Sequence, residues 1–139
     1  MNPYLRIRLI IFSVLAFAFL MSVSGKSVQT TKSKTADFEK RCGWFSNPTP
    51  ANVSLYDKDA EWIIGVQGGY QVEDDWEWPK FKAGQWVHTN GADYGYGCVC
   101  MDLTVNKETH EVLHIKDSRA LLLSTCRNDP ALKKYKGKL

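Results

Sequence analysis

The chain has 139 residues, of which 44% are hydrophobic and 24% charged, enough for one domain with a modest core and too short for two. Its formal net charge is +3, but Arg6 and Arg8 supply two of those charges and no acid falls among the first 25 residues, so the rest carries only +1. That near-neutral balance excludes the broad basic footprint of a nucleic-acid-binding domain.

At the N-terminus, Arg6 and Arg8 precede an apolar run from Leu9 to Met21, and small or polar residues follow. This is the layout of a secretory signal peptide. The run is shorter than the ~20 residues a membrane-spanning helix needs, and Val23 and Gly25 suit cleavage after Gly25. Residues 1–25 are therefore expected to be removed. The mature protein is expected in the periplasm or secreted, with no stable membrane anchor. Residues 26–40, rich in Ser, Thr and Lys, read as a disordered linker. A single β-rich domain is expected over residues 41–134, with residues 135–139 as a basic tail.

Within the domain, "RCGWF" reads as a short strand halted by "SNPTPAN", where Pro48 and Pro50 oppose helix and ladder alike. Val53 to Tyr56 and Glu61 to Val66 read as a hairpin joined through Asp57 to Asp59 and closed by Gly68 and Gly69. "DKDAE" at that joint starts like a calcium loop, but it lacks the following glycine and the downstream ligands, and is read as a turn. "YQVEDDWEWPKFKAG" is an excursion from the sheet. Asn90-Gly91 then marks a type I′ hairpin, which would set His88 against Asp93, Val87 against Tyr94 and Trp86 against Gly95. The second strand runs on through "CVCMDLTV", turns at "NKETH" and returns as "EVLHI" before a last apolar run, "ALLLSTC". Asp129 and Pro130 mark the N-cap and first residue of a short C-terminal helix. The whole is mainly β: a small antiparallel β-sandwich or barrel of six to seven short strands.

Four cysteines in a small exported domain, Cys42, Cys98, Cys100 and Cys126, form the even count of a disulfide framework. Side chains alternate along a strand, so Cys98 and Cys100 share the face opposite Val99, Met101 and Leu103. Their parallel Cβ vectors oppose a bond between them. Each is expected to reach a distant partner, as Cys42–Cys98 with Cys100–Cys126 or as Cys42–Cys100 with Cys98–Cys126. The rival reading is redox or metal handling through the C-x-C pair. For zinc the matched C-x-x-C and His spacing is missing, and oxidised sulfurs do not bind metal.

The excursion offers a binding surface: Trp76 and Trp78, with Tyr70 and the acids Glu73, Asp74, Asp75 and Glu77 beside them. Aromatic rings beside carboxylates stack on sugars or anchor protein partners; the alternative is a loop that folds its own tryptophans onto the sheet. The same acids could serve a glycosidase, but nothing indicates the required separation across a cleft. No nucleophile elbow, phosphate loop or H-E-x-x-H motif is present, so no catalytic, cofactor-binding or metal-binding residues are assigned.

Taken in order, "RCGWFSNPTPAN", "DKDAEWIIGVQGG", "WVHTNG", "YGYGCVC" and "LLLSTCRNDPAL" resemble the bacterial family catalogued as domain of unknown function 4087. The likeness spans about Arg41 to Leu132 and departs from the usual glycine at Ala60. It implies a small exported bacterial protein and carries no activity or catalytic residues with it. The functional expectation is a non-enzymatic periplasmic module that binds a protein or a cell-wall glycan, a hydrolase inhibitor being one form such a module takes. No cofactor is expected.

Overall fold

The computed structural model describes residues 37–139 apart from Asp74 and Ala92; the expected signal peptide and most of the expected linker lie outside the described residues. The elements are β1 (Glu39–Thr49), β2 (Asn52–Asp57), β3 (Glu61–Gly65), β4 (Trp86–His88), β5 (Gly95–Val105), β6 (Val112–Leu121), α1 (Leu123–Asn128) and a 3-10 turn (Pro130–Tyr135). All six strands form one antiparallel sheet in the order β3-β2-β1-β5-β4, and β6 also pairs with β5. The protein is therefore mainly β, as expected. The strands lie in this one sheet and not in two facing ones; it curls until the Ile63 N–H donates to the His110 carbonyl at 2.8 Å, but it does not close into a barrel.

Strand alternation gives the sheet two apolar faces. Phe45, Leu55, Ile64, Val99, Met101 and Leu103 meet on the inner face, where Trp76, Phe81 and Trp86 pack over them. The outer face carries Trp44, Tyr56 and Cys98 beneath Leu123, Cys126, Leu132 and Tyr135 of the C-terminal segment. The cysteine face of β5 points away from the main core, as the alternation requires, yet Cys98 is fully buried because this segment lies across it.

Four local expectations are corrected. Strand β1 continues through Pro48 to Thr49. Its ladder with β5 ends at Asn47 and its register with β2 slips between Ser46 and Thr49, so the absent proline N–H falls at an irregularity where strands tolerate it. The Asn90-Gly91 turn is not the tight two-residue type: Trp86 pairs with Gly97, Val87 with Tyr96 and His88 with Gly95. Gly91 has positive φ and Asn90 does not; Asn90 instead donates its amide to the Pro48 carbonyl at 2.9 Å, tying the loop to β1. The slip is two residues, so every side chain keeps its face. β6 runs without a break from Val112 to Leu121, and the end of the apolar run "ALLLSTC" turns into α1, burying Leu123 and Cys126 one helical turn apart. Asp129 does cap the segment that follows, accepting from the Ala131 N–H at 2.8 Å, but that segment is a 3-10 turn and its Tyr135, assigned to a basic tail, is buried.

Gly43 sits where β1 and β2 approach so closely that a Cβ would stand 1.9 Å from the Tyr56 carbonyl oxygen. Gly43→Ala must part those strands and is expected to destabilise the domain by about 1–3 kcal/mol, measured by urea denaturation; an unchanged midpoint would show that the strands can yield freely. Alkaline stability offers a second check. Burial, followed by the charge of Glu61, pushes the Tyr56 phenol up to about 12. An unfolded chain releases this proton near pH 10, so between pH 10 and 12 the unfolded state binds fewer protons and stability falls, by at most about 2–3 kcal/mol. Unfolding measured at pH 9 and pH 11.5 should show this loss, and Tyr56→Phe should shrink it; an equal loss in the variant would assign it to other groups.

Candidate functional site

Cys42 and Cys100 stand directly opposite each other across β1 and β5 and are joined with a Cα separation of 4.0 Å. Cys98 reaches Cys126 on α1, with Cα atoms 5.8 Å apart. This is one of the two connectivities that alternation allows, and it leaves no free cysteine. The thiolates that a soft-metal site or an exchange-active thiol needs are consumed in these bonds. Two disulfides mark an oxidising environment. Among the described residues no helix is long and apolar enough to cross a membrane.

The segment between β3 and β4 builds the most developed surface feature. It begins along the sheet, with Val72 N–H donating to the Ile64 carbonyl at 2.9 Å and the Tyr70 hydroxyl to the Val112 carbonyl at 2.6 Å. It then lays aromatic rings around the buried Phe45: Trp78 edge-on at 5.3 Å between ring centres, Trp76 at 6.4 Å and Phe81 at 6.2 Å. Phe81 can lie on β5 only because residue 97 is glycine; a Cβ there would stand 2.3 Å from its ring. Trp76 stacks on Trp78 at 5.4 Å with planes 18° apart, covering one face of an indole that is still 49% exposed. The outcome is an open groove of about 510 Å³ lined by Trp78, Phe81 and Trp86 together with Asn47, His88 and Asp93.

The acidic run does not join this groove. Glu73 and Asp75 are exposed, and Asp74 lies outside the described residues. Glu77 pairs with Lys80 at 2.6 Å, and this hydrogen bond lowers its pKa, the opposite of what a general acid needs. Asp75, Trp76 and Glu77 border a separate cleft of about 200 Å³ with Ser118. Tyr70 is a strut to β6. Trp78 is marked as a site residue by the sequence, whereas Asn47, Phe81 and Trp86 enter the groove only through the fold. The available signal was the alternation of Gly95 and Gly97 on β5, which clears one face of the strand for rings arriving from β4 and the preceding loop.

A second grouping that sequence did not reveal lies at the other end of β1. The Arg41 guanidinium is buried against the Asp57 carboxylate, reaches Glu39 at 2.8 Å and Asp59 at 3.2 Å, and lies 4.0 Å over the Trp62 ring. Burial works against its charge, but hydrogen bonds to Asp57 and Glu39 outweigh this and hold its pKa above the ordinary value. The other oxygen of Asp57 accepts from the N–H groups of Asp59 and Ala60 at 2.7 and 2.8 Å, so "DKDAE" is a turn organised by a carboxylate already committed to Arg41. The grouping holds the fold and offers a ligand little.

These features define a class: a disulfide-stapled domain built on one curled sheet, suited to an oxidising environment and carrying an aromatic groove. The chain belongs to the family described as Protein of unknown function (DUF4087), whose model matches residues 36–133. Neither the curated proteins nor the solved structures contain a match to it.

Asp57→Ala leaves Arg41 buried with Glu39 and Asp59 as its remaining partners. A loss of about 3 kcal/mol is expected in chemical denaturation, whereas a loss below about 1 kcal/mol would mean that those two acids suffice.

Proposed function

We propose that this protein is a non-enzymatic binding module of the periplasm or the secreted space, and that its partner is a cell-wall glycan held in the groove between Trp78, Phe81 and Trp86. The observation that carries this reading is the state of Trp78: half exposed, buttressed edge-on by Phe45 and backed by Trp76. A large ring fixed in advance loses little entropy when a ligand stacks on it. Sugar rings present apolar C–H faces for such stacking and hydroxyls for polar neighbours, and Asn47, His88 and Asp93 stand in the same groove. The apolar leader of residues 9–21 and the two disulfides support an exported location.

The test is titration of the disulfide-intact protein with soluble peptidoglycan fragments, followed by calorimetry and by NMR of the indole N–H signals. Binding should perturb Trp78 and Trp86, and Trp78→Ala should weaken it about 30-fold, the scale of a central aromatic anchor, with the variant still folded by circular dichroism at the titration temperature. Unchanged binding in the variant would remove the groove from the reading. If glycans fail to bind while the wild type, and not Trp78→Ala, inhibits lysozyme, the partner is a protein.

A further inference from the structure

On the opposite face of the sheet, where the C-terminal segment crosses β1 and β5, lies a cleft of about 430 Å³ that the proposed glycan groove does not include. Its walls are apolar and aromatic: Trp44 and Tyr96, edge to face at 5.4 Å, and Leu132. Its rim carries three exposed cations, Arg127, Lys133 and Lys136, and no Asp or Glu side chain lines it, the remaining lining residues being Cys126 and Leu139. None of the three takes part in an ion pair among the described residues, where the paired cations are Lys40, Arg41, Lys58 and Lys80. Arg127 stands in the last turn of α1, Lys133 in the last turn of the 3-10 segment and Lys136 at its C-cap, so two helical ends of negative dipole gather the three cations at this rim.

From this combination we infer that the cleft binds a medium-chain carboxylate, with its chain against Trp44, Tyr96 and Leu132 and its head group among Arg127, Lys133 and Lys136. The volume lies in the range of small-ligand sites. Apolar walls favour a hydrocarbon body over a free inorganic anion, which would leave them in water. The three rim cations favour an anionic head over a neutral one, and their exposure makes the contribution sensitive to salt.

The experiment uses the disulfide-intact protein and three probes: decanoate, decanol and inorganic phosphate. Decanoate should bind about tenfold more tightly than decanol, shift the Trp44 indole N–H in NMR spectra, and leave Trp78 unmoved; phosphate should cause no shift at Trp44. The double variant Lys133→Gln/Lys136→Gln, altered only at exposed positions, should lose about tenfold in decanoate affinity with decanol binding unchanged. Trp78→Ala should bind decanoate as the wild type does. Equal affinity for decanoate and decanol, phosphate shifts at Trp44, shifts centred on Trp78, or an unaffected lysine variant would each overturn the inference.

Discussion

Strand β5 is the constraint on which the rest of the molecule depends. It pairs with β1 from Gly95 to Leu103 along one edge, while β4 and β6 divide the other. With both edges occupied it satisfies its backbone inside the sheet, and its side chains feed two cores. Val99, Met101 and Leu103 fill the inner one; Cys98 and Cys100 fasten the outer face, Cys100 to β1 and Cys98 to α1. The loops closed span 58 and 28 residues, and cross-links of this kind each contribute about 2–4 kcal/mol. For a domain near 100 residues, whose buried surface is modest, that is a substantial part of the net stability.

The two faces are covered by different means, and the difference explains where clefts arise. A second sheet would have matched the inner face strand for strand. Here an irregular segment covers it, held at points such as the Ser118 hydroxyl donating to the Glu77 carbonyl at 2.9 Å. Rings rather than backbone fill the space, and they leave the open groove beside Trp78. On the outer face the cover is one short helix and a 3-10 turn, enough to bury Trp44, Cys98 and Tyr135 but too small to close over Tyr96, which stays half-buried.

The charged grouping around Arg41 is the polar counterpart of these cores. A guanidinium taken out of water requires a carboxylate partner, and Asp57 supplies one while organising the turn from β2 to β3. Trp62 lends its ring face to Arg41 but leaves its own Nε1 buried without a hydrogen-bond partner, as is the Thr104 hydroxyl. Each such group costs about 1–3 kcal/mol, which the surrounding apolar contacts must offset.

Local sequence determined a good deal. The alternation in "CVCMDLTV" placed the two cysteines on one face and ruled against a bond between them; Asp129 with Pro130 marked a helical start; Asp57 to Ala60 read as a turn. Each depends on residues within a few positions of one another, where backbone geometry leaves few options. Tertiary structure decided the rest. Which cysteine met which depended on β1 and β5 aligning Cys42 with Cys100, a register set by packing over a separation of 58 residues. The Asn90 turn widened because its side chain found the Pro48 carbonyl, 42 positions away. Trp78 became a platform because Phe45 and Trp76 hold it, and Arg41 was buried because Asp57 and Trp62 came to meet it. In all these cases the deciding partner is distant in the chain, and only the packed sheet brings it within reach.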